Sequence, residues 1–371
     1  MKSSVRKYVE FGVLCALALA ILWWFGRKLD WAEVRHSLGQ TNKTLLAGAV
    51  VIVCSSYLMR AYRWGALLAP LAPARIKHLF AATTIGFGAV FLIGRMGEVI
   101  RPVILPLREP RVRASASFVT IMVERIYDML AVVVLFAANL LWFVPPTKVA
   151  GELTRVRIAG GVLLIAVLSG VAGLIWYRRR SADAVAWVSQ RLHRRSFVPP
   201  RVTRAVISTL EQLARALRVL ANAKELAITI AWTALIWGVI VVANLMVLRA
   251  FGLNFGITQA IFVLGWSLVG SLVPTPGGAA GAFHAATAAG LIFLGVERET
   301  AAAISIVIHI IDFGPSVIFG FFYFVRGDIN FVRLRSLSSP EALEHAVEDE
   351  SITPEDDLSL EGRFEPVATG E

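Results

Sequence analysis

The chain of 371 residues is 57% hydrophobic and 17% charged, with a mean hydropathy of +0.67. Soluble domains carry roughly 45–50% apolar and about 25% charged residues, so this composition excludes an ordinary soluble domain. It points to an all-α polytopic membrane protein, because the alternating segments of roughly ten residues that build a transmembrane barrel are absent.

The net charge of +11 is uneven: residues 340–371 hold 11 acidic residues and one basic, which leaves +21 on residues 1–339. A basic surface beside a bilayer meets anionic lipid headgroups; no nucleic-acid motif is present, and nucleic acid is not an expected partner. Cys15 and Cys54 both lie in apolar spans, as small buried residues do, and give neither a disulfide framework nor a metal site. No cofactor motif occurs.

Residues 9–25 form an apolar segment behind Lys2, Arg6 and Lys7. Trp23-Trp24-Phe25-Gly26-Arg27 is no cleavage site of small residues, so this reads as an uncleaved first span. A second span covers about 44–60 and ends at Arg60 and Arg63. Apolar arms at 78–93 and 99–107 flank a polar break, Gly94-Arg95-Met96-Gly97-Glu98, with Arg101-Pro102 close behind. Spans follow at 116–143, stopped by Pro145-Pro146, and at 157–177, ending in Arg178-Arg179-Arg180. After a basic loop over 178–224 comes a span at 225–248. Arms at 258–273 and 282–295 then surround a second break, Pro274-Thr275-Pro276-Gly277-Gly278-Ala279-Ala280-Gly281, and 301–325 is the last span. Within the loop, the leucine and valine spacing over 201–224 suits a helix lying on an anionic leaflet or on the protein's own loops. Residues 1–339 thus form one transmembrane domain, and the acidic, aperiodic tail 340–371 reads as disordered.

Non-helical backbone at membrane depth is tolerated only where protein buries it or it lines a wet cavity. Paired interruptions in the two halves of a chain are the best sequence pointer to a transport site. With both breaks read as re-entrant hairpins, six spans cross fully. Placing the N-terminus inside then puts 25 Lys/Arg on inner segments and 9 on outer ones. The bias favours cytoplasmic N- and C-termini in the cell (inner) membrane; eight or nine full crossings is the alternative. Each half reads span, span, hairpin, span, which makes an inverted-topology repeat. Gly97 lies 31 residues before Asp128, and Gly281 lies 31 before Asp312.

Charged groups at helix centres cost on the order of 2.5–3.5 kcal/mol each and need partners. Glu124 and Asp128 share one helix face, and Arg125 can pair with Asp128 on a neighbouring one. They line a polar path or lock the first hairpin to its helix. Arg95 and Arg101 offer planar forks suited to phosphate, with Glu98 between them. A charge cluster at a helix terminus with no ligand is the alternative. In the second break, Gly277 and Gly278 permit a tight turn, and a helix starting near Ala279 offers free N–H groups to an anion. His284 follows the turn. His309 and Asp312, three apart, make a further polar pair. The histidines lack companions at zinc spacing.

The ordered set Arg60-Ala61-Tyr62-Arg63-Trp64, Gly94-Arg95-Met96-Gly97-Glu98 with Arg101, Glu124-Arg125-Ile126-Tyr127-Asp128 and Pro274-Thr275-Pro276-Gly277-Gly278 resembles the flippase-like transmembrane region of the lysylphosphatidylglycerol synthase family. The resemblance covers about residues 5–330 and implies translocation of a lipid or lipid-linked substrate. Ile93 stands where the family commonly has proline, and His284 is the nearest polar residue after the turn that the family commonly follows with glutamate. The resemblance also implies that aminoacyl transfer is absent, because the tail is too short for the family's soluble catalytic domain.

The leading reading is a non-enzymatic lipid flippase or scramblase for an anionic or phosphate-bearing membrane lipid. Arg95 and Arg101 are expected to hold the headgroup. No Gly-x-x-x-x-Gly-Lys-Ser/Thr motif is present, so transport runs downhill or is ion-coupled. The rivals are an intramembrane enzyme acting on a lipid phosphate, a non-transporting partner of an envelope glycosyltransferase, and a scramblase of the DedA-like type.

Overall fold

The computed structural model describes residues 19–144, 223–273, 275 and 277–326, with scattered positions at 13, 16–17, 158, 161–162, 164–165 and 169; the side chains of Arg95, Met96, Ser115, Ala223 and Glu225 are outside that set. The expectations for 157–177, 201–222 and 340–371 therefore fall outside the described residues, apart from those scattered positions.

All the described elements are helical. Asp30 caps α1 (Trp31–Gly39) by accepting from the N–H groups of Ala32 and Glu33. Asn42 caps α2 (Lys43–Leu68) in the same way through Thr44 and Leu45. Next come α3 (Ile76–Ile93), a 3₁₀ turn over Gly94–Val99, α4 (Ile100–Arg108) and α5 (Ala114–Trp142). The second half holds α6 (Ala223–Ala250), α7 (Ile257–Ser271), α8 (Ala280–Phe293) and α9 (Arg298–Val325). Among the described residues, four helices are long and apolar enough to cross a membrane, and α7 and α8 are shorter apolar ones. The outer surface is apolar: Val51, Met129, Ile318 and Phe321 are each about two-thirds exposed. That is the surface of a chain solvated by lipid.

Two expectations about the first half change. The second span does not end at Arg60 but continues through Arg63, which is fully buried, to Leu68. The charge of Arg63 is compensated inside the protein by Asp128 and Glu124, so it does not mark the end of the helix. The leading arm of the first break is also longer than expected. At 18 residues α3 spans about 27 Å, against nine residues for α4. The arms of the second break are nearly equal, at 15 and 14 residues.

Buried apolar residues gather in two main groups, one among α2–α5 around Trp64, Leu79, Ile104 and Ile121, the other among α2 and α6–α9 around Val53, Leu248, Leu264, Leu291 and Ile304. The helix pairings are preserved when the halves are exchanged. The contact of α3 with α9 is matched by that of α7 with α5, the contact of α2 with α9 by that of α6 with α5, and α2 packs on α6 itself. This is the contact pattern of two structural repeats. Small residues permit the closest crossings. A Cβ on Gly320 of α9 would sit 2.6 Å from the Thr84 carbonyl oxygen of α3, and one on Gly270 of α7 would sit 2.5 Å from the Ala282 carbonyl oxygen of α8.

The loop after α4 is tied back to the start of α3. The Glu109 carboxylate accepts from the Arg75 N–H at 3.3 Å and lies 2.8 Å from His78 Nδ1. Burial raises the proton affinity of Glu109, but the His78 and Arg75 contacts outweigh it and leave its pKa below the ordinary value. A depressed carboxyl stabilises the fold above its unfolded value of about 4.3 and loses that contribution as pH falls through the folded value. Glu109→Gln should therefore flatten the acid limb of a thermal-midpoint-against-pH profile; an unchanged acid limb would contradict the assignment.

Candidate functional site

Four buried charges and the partly buried Arg125 join α2, α4 and α5. Arg63 grips Asp128 with both terminal nitrogens, Nη1 to Oδ1 at 2.6 Å and Nη2 to Oδ2 at 3.1 Å, and reaches Glu124 Oε1 at 3.2 Å. Arg101 makes the same two-pronged contact with Glu124, at 2.6 and 3.1 Å, and donates to Thr83 Oγ1 of α3 at 3.3 Å. Arg125 bridges both acids from Nη2, at 2.8 Å to Glu124 and 3.2 Å to Asp128. Planar forks matched to carboxylates suit desolvated pairing. The Arg101 guanidinium also lies over the Trp64 ring, 4.4 Å from its centroid. Three arginines face two carboxylates, so the cluster carries one surplus positive charge.

The two breaks meet beside this cluster. In the first, the 3₁₀ turn folds back on α3 so tightly that a Cβ on Gly97 would lie 2.3 Å from the Val90 nitrogen. In the second, Gly277, Gly278 and Ala279 all take positive φ, at 75°, 61° and 61°. That left-handed run suits glycine and is costly for alanine. Gly278 donates its N–H to the Phe91 carbonyl at the end of α3 (2.9 Å), and its own carbonyl lies 3.2 Å from His309 Nε2. One hydrogen bond thus links the second break directly to the helix that leads into the first.

Between the breaks lies a cavity of about 260 Å³. It falls just under the ~300–1,000 Å³ of small-molecule pockets. Gly94 and Glu98 line it from the first break, and Thr275, Gly278 and Ala279 from the second. Helices α2, α5 and α9 contribute Tyr57, Arg60, Arg125, Asp128 and Asp312, and α7 contributes Ser267 and Ser271. The Tyr57 hydroxyl donates to the Asp312 carbonyl at 2.6 Å, in the turn before Pro315, where a missing N–H interrupts the ladder of α9.

Among the residues singled out from sequence, Glu98, Arg125, Asp128, Gly278 and Asp312 line the cavity. Arg101 and Glu124 do not: both are buried in the charge cluster, Arg101 held by Glu124 instead of free for a headgroup. The side chain of Arg95 is outside the described residues. The N–H groups of Gly278, Ala279 and Ala280 already donate to Phe91, Thr275 and Gly277, so these positions supply no free donors to an anion. His284 and His309 pack ring to ring at 4.8 Å, walled by Phe283.

Arg60 and Arg63 were missed as site residues. Among the described residues, Arg60 supplies the cavity's cation outside the cluster, and Arg63 holds the cluster together. The available signal was their i, i+3 spacing behind Tyr57, which places all three on one side of a helix.

These features define a multi-pass membrane protein with a cavity between two broken segments, apolar over most of its wall and carrying charged groups from both halves. Residues 11–320 match the family described as Lysylphosphatidylglycerol synthase TM region, and the chain belongs to that family. It is similar to the UPF0104 membrane protein PH1989 of Pyrococcus horikoshii, 18% identical over 330 residues that span 85% of this chain and 96% of that protein. It is also similar to glycosyltransferase AglD of Haloferax volcanii, 27% identical over 266 residues, or 65% of this chain and 41% of AglD. The match thus covers less than half of that relative's length.

Proposed function

We propose that the protein translocates, by flipping or scrambling, a phospholipid or lipid-linked glycan precursor across the cell membrane, with both termini cytoplasmic. The observation that carries this reading is the cavity lined by both breaks at once, with charged groups on its walls and an apolar exterior around it. A phosphate-bearing headgroup enters the cavity while the chains stay in the bilayer. Membership of the family supports a role at lipids. The reading is non-enzymatic: Glu124 and Asp128 have their oxygens occupied by arginine donors, which suits architecture better than proton transfer.

The second reading, a non-transporting partner or membrane portion of an envelope glycosyltransferase, is favoured by the name of the relative AglD. Reconstitution into liposomes with headgroup-labelled phosphatidylglycerol separates the readings. The expected result is exchange between leaflets with no new lipid product. A new product supports an enzyme. Neither exchange nor product supports the partner role.

A further inference from the structure

Arg60 differs from Arg125, the other arginine that lines the cavity among the described residues. The guanidinium of Arg125 is held by Glu124 and Asp128. That of Arg60 makes no hydrogen bond or ion pair among the described residues; it lies over the Phe87 ring, 5.0 Å from the centroid, and opens on the cavity. A cation over an aromatic face is attracted by the ring without using up its N–H donors in hydrogen bonds. A second group on the cavity wall is also without a partner among the described residues. Thr275, from the second break, is 1% exposed and lines the cavity, yet its Oγ1 has no hydrogen-bond partner. A buried hydroxyl without a partner is costly, and it is satisfied when a ligand supplies an acceptor. The cavity carboxylates outside the charge cluster are Glu98 and Asp312. Asp312 makes no ion pair among the described residues and shares the cavity with Arg60 from the opposite half of the chain.

We propose that Arg60 and the Thr275 hydroxyl form the anion-binding pair of this cavity, taking a phosphate group from opposite halves of the protein, with Asp312 as the opposing charge that limits how tightly the anion is held. The inference rests on the translocation reading for the source of the phosphate, a lipid headgroup, but the chemistry is shared by free phosphate. The guanidinium fork gives two parallel hydrogen bonds to phosphate oxygens, and the hydroxyl gives a third. The surplus charge of the neighbouring cluster adds to the attraction. A ligand held by both groups ties the second break to α2, and its departure frees that break.

The test uses full-length protein in detergent and in liposomes. Thermal midpoints are recorded with inorganic phosphate and, separately, with dihexanoyl-phosphatidylglycerol, for wild type, Arg60→Gln, Arg60→Lys, Thr275→Val and Asp312→Asn. Arg60→Gln and Thr275→Val should weaken binding of the protecting probe, the former by about tenfold or more. Arg60→Lys should fall between wild type and Arg60→Gln, because lysine keeps the charge without the fork. Asp312→Asn should tighten binding. A purely structural role for these residues does not predict opposite signs at Arg60 and Asp312. If Arg60→Gln does not fold, Arg60→Lys and Asp312→Asn carry the same contrast.

Protection by the short-chain lipid but not by phosphate places the anion on a headgroup and supports both the site and its source. Protection by phosphate alone, still lost in Arg60→Gln, supports the site and overturns the lipid source. Wild-type affinity in Arg60→Gln, weaker binding in Asp312→Asn, or protection by neither probe overturns the Arg60 site. Lipid exchange that persists alongside that result leaves translocation standing without it.

Discussion

Glu124→Gln is expected to lower the stability of the detergent-solubilised protein by about 3–5 kcal/mol, the cost of breaking a buried ion pair from one side. Glu124 is wholly buried and is approached by Arg63, Arg101 and Arg125 within 2.6–3.2 Å. Removing its charge leaves Arg101 buried without a carboxylate partner among the described residues, and Arg63 and Arg125 sharing Asp128. These contacts join α2, α4 and α5, so the short arm of the first break loses its main polar attachment. The double variant Glu124→Gln/Arg101→Met should recover part of the loss, because it restores the surplus of one positive charge and leaves Arg63 and Arg125 on Asp128. Thermal unfolding of the two single variants and the double variant measures this. A stable Glu124→Gln, or a double variant worse than the sum of its parts, would show that the cluster does not hold these helices together.

Gly97→Ala should also be damaging, for a different reason. The added methyl would lie 2.3 Å from the Val90 nitrogen and 2.4 Å from the Ala89 carbonyl carbon. Both are backbone atoms of α3 and cannot rotate away, so the 3₁₀ turn must lift off the helix. Overpacking of this kind costs about 1–3 kcal/mol, and here it also withdraws Gly94 and Glu98 from the cavity wall. Gly39→Ala is the control, since nothing lies within 4 Å of its added carbon and alanine is the better helix former. The paired thermal midpoints should move in opposite directions. Equal shifts would mean that the close approach at Gly97 is not what fixes the turn.

The long helices and both breaks were legible in the sequence because each carries local chemistry. Gly94 and Gly97 interrupt an apolar run, and the Gly-Gly pair at 277–278 supplies the positive φ that ends one helix and starts the next. Repetition was legible through the matched spacing to Asp128 and Asp312, and the exchanged helix contacts agree with it. Arg60 and Arg63 were not, because charge at the end of an apolar run reads as the edge of the membrane. What cancels the charge of Arg63 lies 65 residues away at Asp128, and no local pattern reports such a contact. Arg101 misled for the same reason: its partner Glu124 is 23 residues away on another helix. The carboxylates Glu124 and Asp128 did announce a need for cations. Only the fold decides which of the nearby arginines satisfy that need and that Arg60, on the cavity wall, does not.

The most direct test of the account asks whether lipid passes through the cavity between the breaks. Ser271 lines it from the end of α7 and is half-buried. In protein with Cys15 and Cys54 replaced by alanine, Ser271→Cys should reconstitute with wild-type exchange of headgroup-labelled phosphatidylglycerol. Exchange should then be lost when the new thiol reacts with a bulky charged reagent, while the folded protein remains. Undiminished exchange after stoichiometric modification, or no exchange by the wild type, would contradict the account.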